Sequence, residues 1–279
     1  MADLPPCAAQ GPRSRGTQPH LPAKECVKTF IWRVGIAAAL LALWQGISGP
    51  LLDPFWLSRP TDVAVYVWGS LLNGQLLSDL SITIRATALG YAIGAVLGLA
   101  LGFLLAQSEA AALVLKPFIL AVYGVPRIAL APLFILWFGI ALPSKVMMAA
   151  MMTFMLVFFN TYEGVRAADL ELRNVARVLG ASRWQLFVHV TVPNASPWII
   201  AGLRVSIPQA LVAAVVAEFI ASTGGLGYRI METTSGLNTA GTMAGVLVLM
   251  LVVVLLNLVL DRGERWALKW RPQDPNSRG

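Results

Sequence analysis

Charge is scarce in this chain. Asp, Glu, Lys and Arg supply 13% of its 279 residues, while 57% are hydrophobic. Soluble domains carry about 25% charged residues, so the composition points to a multi-span membrane protein. Histidine is nearly missing: His20 and His189 have no ligand partner in the sequence, and His189 reads as a surface or interface residue. The two cysteines, Cys7 and Cys26, precede the first apolar run and have neither metal-ligand spacing nor a disulfide framework. They are expected to be reduced and to have no structural role. No Gly-x-x-x-x-Gly-Lys-Ser/Thr run occurs, so nothing here is expected to cradle a nucleotide phosphate, and no cofactor or metal is expected. The apolar stretches lack convergent His, Asp, Glu or Ser groups, which argues against a membrane-embedded enzyme. They also lack a visible internal repeat, which weakens the main alternative, an ion-gradient-driven secondary transporter.

Six apolar stretches are present: Phe30–Ser48, Ala86–Ser108, Pro117–Ile140, Val146–Tyr162, Trp198–Ala221 and Gly241–Leu260. Each is read as a membrane span, the third interrupted by Pro126-Arg127 and Pro132. The formal net charge of +7 is unevenly placed. With the N-terminus inside, only Arg59, Arg85, Lys145 and Arg229 fall in outer segments, and Arg127 and Arg204 fall within spans. The remaining Lys and Arg lie in the inner segments. That bias predicts cytoplasmic termini and makes the charge a topology signal with no nucleic-acid partner implied.

Between the fourth and fifth spans lies a polar insert, Glu163–Pro197. Glu163, Arg166, Asp169, Glu171, Arg173, Arg177 and Arg183 would together cost about 20 kcal/mol in hydrocarbon, so the insert must be aqueous. Leu172, Val175, Ala176 and Leu179 form one apolar helical stripe. Gly180 follows where a helix ends most easily, and Ser182 with Gln185 fits a capping box for a second helix. Pro193 and Pro197 are expected to end that helix before the fifth span. The insert could be a plain connector. A DNA-reading helix-turn-helix is disfavoured by its small size and its acidic residues.

Asn174-Val175-Ala176, Gly180 and Val190-Thr191-Val192-Pro193 reproduce, interval for interval, the cytoplasmic loop motif of ABC importer permeases, which the chain resembles over about residues 57–262. That motif has Glu-Ala-Ala, Gly and Ile-x-Leu-Pro at these places. Asn174 replaces the acidic residue, which bears on one polar contact and not on the fold. Leu133–Ile140, Gly180–Gln185 and Gly225-Leu226-Gly227-Tyr228 look like the nitrate, sulfonate, taurine and bicarbonate subgroup. The resemblance implies an all-α, six-span fold of the type I importer permease kind, with a two-helix coupling loop over 163–197. The loop would dock on an ABC ATPase subunit pair through Asn174, Ala176, Gly180, Ala181, Ser182, Arg183, Trp184, Leu186, Val190 and Pro193. It also implies a second permease copy as homodimer partner and a periplasmic or lipid-anchored substrate-binding protein. ATP would be bound by the partner subunit, and this chain would not itself be an enzyme. The setting would be a bacterial inner membrane, and the solute a small anion such as a sulfonate, nitrate or bicarbonate.

The expected organisation is a disordered tail over 1–28, a first span and outer interfacial segment over 29–77, the permease core over 78–262, and a basic tail over 263–279. Phe55 and Trp56 are expected at headgroup depth, followed by an amphipathic surface stretch from Thr61. Gly90, Gly94, Gly98 and Gly102 recur every fourth residue and suit close helix packing, with pore lining as the alternative. Met147, Met148, Met151 and Met152 read as core or interface rather than a binding box. Glu218, Pro208, Pro126 and Arg127 are candidates for the path or a gate. Glu218 would either border the outer mouth of the path or hydrogen-bond the Gly224–Tyr228 loop.

Overall fold

The computed structural model describes residues 23–167 and 175–267. Expectations for residues 1–22, for 168–174 with Asn174 and Leu172, and for 268–279 lie outside them. Among the described residues the regular secondary structure is helical, apart from a bridge between Ser48 and Leu52. The chain divides into Met1–Val65 and Tyr66–Gly279.

In the first unit α1 spans Ala23–Ile47. It therefore begins inside the stretch expected to be a disordered tail. Pro22 is the last of the prolines there, and the Ala-Lys-Glu that follows it favours helix. The apolar part of α1, Val34–Ile47, is shorter than a full span. Beyond it Trp44 Nε1 donates to Ser58 O at 3.0 Å and Ser48 Oγ donates to Leu57 O, closing a loop over 48–58. The loop exposes Leu51, Phe55 and Trp56, the two rings meeting edge to face at 5.2 Å. α2, Pro60–Leu72, straddles the two units, with Asp62 in its first turn favoured by the helix dipole.

The second unit holds α3 (Gln75–Ala106), α4 (Glu109–Gly124), a 3₁₀ turn (Arg127–Leu130), α5 (Ala131–Phe138), α6 (Leu142–Arg166) and α7, described over 175–178. α8 (Arg183–Leu186), a π turn (Phe187–Thr191), α9 (Val192–Ile220), α10 (Leu226–Ser235) and α11 (Thr239–Ala267) complete it. Among the described residues, four helices are long and apolar enough to cross a membrane: Gln75–Ala106, Leu142–Arg166, Trp184–Ile220 and Thr239–Leu260. Two shorter apolar helices, Val34–Ile47 and Arg127–Phe138, fall within the first and third expected spans. In the first, the charges from Lys24 to Arg33 shorten the apolar run. In the third predicted span, Pro126 has extended backbone (ψ 96°) and breaks the helix axis.

The glycine series explains the packing. A Cβ on Gly90 would strike Ala149, and one on Gly94 would strike Ala150 O. On Gly98 it would come within 2.9 Å of Phe154 O, and on Gly102 within 2.8 Å of Thr161 Cβ. Without side chains the α3 backbone lies directly on α6. The partners climb in step, so α3 and α6 run parallel. The broken segment 109–141 must therefore return the chain along the length of that pair.

Antiparallel α9 approaches α6 as closely, and Ala86, Ala149 and Ala210 join the three helices in one core. A Cβ on Gly164 would stand 2.5 Å from Trp198 Cβ, and one on Gly202 would stand 2.6 Å from Asn160 Cβ. Met148 is buried with Ala131, Phe134, Ala213 and Ala217, and Met147, Met151 and Met152 pack around them. The methionines are core. Leu211, Val215, Leu226 and Val252 form a second core that joins α9, α10 and α11.

Candidate functional site

The polar insert folds as its local chemistry requires. Gly180 has φ +83°, a conformation that costs glycine nothing. Ala181 N–H donates to Ala176 O and Gly180 N–H to Arg177 O, both at 3.0 Å, the paired bonds of a Schellman end to α7. Ser182 N–H donates to Gln185 Oε1 at 2.8 Å and Gln185 N–H to Ser182 Oγ at 3.3 Å, a reciprocal capping box that opens α8. Two helices thus meet at a rigid corner.

Arg183 starts α8 and Trp184 follows it, 72% exposed. Val175, Val178 and Leu179 are exposed as well, so an apolar surface surrounds Gly180. Trp184 stacks on Phe187 at 5.8 Å, and Phe187 meets Phe103 of α3 at 5.5 Å. Ala176, Gly180, Ala181, Leu186, His189 and Val190 border a concavity of about 440 Å³. Leu186 is buried and His189 exposed.

Pro193 and Pro197 do not end the helix as expected. A helix runs unbroken from Trp184 to Ile220, with Pro193 in the first turn of α9 and Pro197 inside it. The π turn supplies the reason: Val192 N–H bonds Phe187 O, five residues back, which widens the backbone where the Pro193 ring would clash. Pro197 leaves Pro193 O without its helical donor, and Ser196 Oγ donates to it at 2.8 Å.

At the other end of the three packed helices sits a buried polar lattice. Glu218 is 1% exposed and Thr83 fully buried. Glu218 Oε2 accepts from Gly227 N–H at 2.8 Å, so Glu218 does bond the glycine loop. Thr83 Oγ1 lies 2.9 and 3.0 Å from the two Glu218 oxygens and accepts from Leu226 N–H at 2.9 Å. Asp79 Oδ1 accepts from Gly225 N–H at 3.0 Å, and its Oδ2 from Arg229 Nε at 2.9 Å. Lys145 Nζ donates to Gly224 O at 3.0 Å. Three successive N–H groups at the start of α10 are thereby held by three different side chains, two from α3 and one from α9.

The buried acids Asp79 and Glu218 face Lys145 and Arg229 there, and Arg229 also pairs with the more exposed Glu232. Partial burial disfavours the Arg229 charge, but the hydrogen bond and charge of Asp79 outweigh it and hold its pKa above the ordinary value. The loop glycines let backbone reach carboxylate. Gly225 has φ +113°, and a Cβ there would overlap the Glu218 carboxyl group.

Of the path candidates, only Glu218 belongs to this lattice. Pro208 lies inside α9, about 15 Å before it along the axis. Pro126 and Arg127 stand at the break after α4. Asp79, Thr83 and Lys145 were missed because both charges fell outside the predicted spans, whereas α3 and α6 start earlier and bury them. A readable signal was Asp79 and Thr83 four residues apart on one helical face.

Residues 94–269 match the family described as "Binding-protein-dependent transport system inner membrane component". The chain is 36% identical over 247 residues to the aliphatic sulfonates transport permease protein SsuC of Bacillus subtilis, covering 88% of this chain and 90% of that one. It is 33% identical over 254 residues to the riboflavin transport system permease protein RibX of Chloroflexus aurantiacus, covering 89% and 95%. A solved amino acid ABC transporter shares the fold, with TM-score 0.60 at 19% identity over 72% of this chain and 97% of that one.

Proposed function

The chain belongs to the family of binding-protein-dependent transport system inner membrane components, and we propose that two copies of it form the path of an importer for a small oxyanion. As a member it is a membrane-embedded permease subunit of an ABC importer, with no catalytic chemistry of its own. Its family works with an ATPase and a substrate-binding protein. ATP is then bound by the ATPase, and the permease needs no cofactor.

The observation that carries the reading is the insert: a rigid two-helix corner around Gly180, with Val175, Val178, Leu179 and Trp184 exposed on it. A soluble knob with an apolar surface needs a partner. The ATPase supplies one, and a two-fold ATPase pair calls for two knobs, hence two copies of this chain. With the knob on the ATPase side, both termini are cytoplasmic in a bacterial inner membrane, and the Glu218 lattice lies at the outer end beside the mouth of the path.

A sulfonate-like anion is supported by the likeness to SsuC, and the selection of substrate rests on the binding protein. Purification of tagged chain in mild detergent tests the coupling role. Wild type retains a nucleotide-binding ATPase, and Gly180→Pro, still folded, loses it. An ATPase held equally by both forms would remove the knob from the interface.

A further inference from the structure

We propose that Thr83 is a positioning residue for transport: by joining Leu226 N–H of α10 to the Glu218 carboxylate of α9, it makes α10 move as one body with α3 and α9. This inference rests on the importer reading above. The helix Trp184–Ile220 is 37 residues long, about 55 Å, and has the knob at one end and Glu218 at the other. A displacement of the knob therefore reaches Glu218 along one continuous element. There the chain turns back through Gly224–Gly227 into α10, a place where a loop could let α10 drift.

The geometry removes that freedom. Asp79 holds Gly225, Thr83 holds Leu226 and Glu218 holds Gly227, three consecutive points that fix the direction of α10 as well as its position. Lys145 of α6 adds a fourth hold at Gly224 O. The groups are buried, so water cannot take over a broken bond. Thr83 is the shared member. Its oxygen accepts from Leu226 N–H, and its one proton faces the Glu218 carboxylate at 2.9 Å, with Asp79 O at 3.2 Å. At its far end α10 exposes Ser235, and Leu237, two residues beyond it, is exposed at φ 55°. Along its length α10 also rests on α11, where a Cβ on Gly245 would stand 2.4 Å from Ile230 and one on Gly241 would stand 2.6 Å from Thr233.

The test uses the full chain, with Cys7→Ser and Cys26→Ser, purified with its ATPase in nanodiscs. Spin labels on Leu89→Cys of α3 and Ser235→Cys of α10, carried by a labelled copy co-assembled with excess unlabelled chain, report the one distance within a chain, with and without nucleotide trapped by ATP and orthovanadate. One narrow distance, unchanged by trapping, is expected. Thr83→Val keeps that distance in the resting complex and splits it on trapping, and Thr83→Ser restores the single distance. A wild-type distance that shifts on trapping overturns the inference alone, even if Thr83→Val does not fold. So does a Thr83→Val distance equally broad in both states with ATPase activity falling in parallel, because that marks a merely structural role. A wild-type chain with no ATPase attached overturns the importer reading, and this inference with it.

Discussion

Thr83 of α3 and Glu218 of α9 are 135 positions apart in sequence, yet one hydroxyl reaches both carboxylate oxygens, at 2.9 and 3.0 Å. The pair joins the start of one span to the end of another. Around it the chain packs glycine and main-chain N–H groups instead of apolar side chains, so the lattice is sensitive to small changes.

Gly225→Ala is expected to destabilise the protein by about 2 kcal/mol or more, because it adds strain at φ +113° and overlap with Glu218. Gly124→Ala meets open space and is the control. Thermal unfolding in detergent should lower the midpoint for the first and leave the second near wild type. Equal midpoints would refute the close approach of loop and carboxylate.

Lys145 lies within Coulombic reach of Glu218 and Asp79. Lys145→Met alone leaves two buried acids facing one base, at a cost of about 3 kcal/mol. Adding Glu218→Gln should recover part of that loss, with a coupling of about 1–3 kcal/mol in the double-mutant cycle. Strictly additive midpoints would show that the two groups do not share one charge balance.

Gly94→Val should separate α3 from α6, because its side chain would occupy the space of Ala150 O and Thr153. The expected result is poor recovery of folded protein and a lowered unfolding midpoint, by about 2–3 kcal/mol in stability. Gly35→Val, which meets nothing within 4 Å, should be tolerated.

Trp184→Ala removes the largest exposed ring on the knob without disturbing a buried group. Its effect should fall on ATPase affinity, by about 2 kcal/mol or roughly thirtyfold in Kd, with the unfolding midpoint retained. Titration of ATPase onto nanodisc-held chain measures this. An unchanged Kd would move the docking surface elsewhere on the insert.

Ser182→Ala deletes the acceptor for Gln185 N–H. A loss of about 1 kcal/mol is expected, confined to the start of α8. Amide exchange should speed up at 183–186 and stay unchanged in α3 and α6.

Local chemistry made much of this protein legible in its sequence. The Gly180 corner and the Ser182–Gln185 cap depend on neighbours a few residues apart, and both formed as read. The Gly90–Gly102 series named its own packing role, because an every-fourth-residue gap on a helix is a groove whatever fills it. The prolines were harder. Pro193 reads as a stop, but a π turn one step earlier opens the backbone around it, and nothing in the local pattern announces a π turn. Glu218 was recognisable as costly, since a carboxylate in an apolar helix needs a partner.

By itself, then, the sequence determined that this is a helical membrane protein with one aqueous insert, because hydropathy and the need to satisfy backbone groups act locally along the chain. It also determined where the insert bends. Only the tertiary structure decided that α3 lies parallel to α6 and that 109–141 carries the chain back in two pieces. The tertiary structure alone also brought Asp79, Thr83 and Lys145 onto the first turn of α10, beside Glu218. Those pairings join residues from 79 to 150 positions apart, beyond the reach of any local pattern. They depend on which helix faces pack together, and that is set by shape complementarity across the whole bundle.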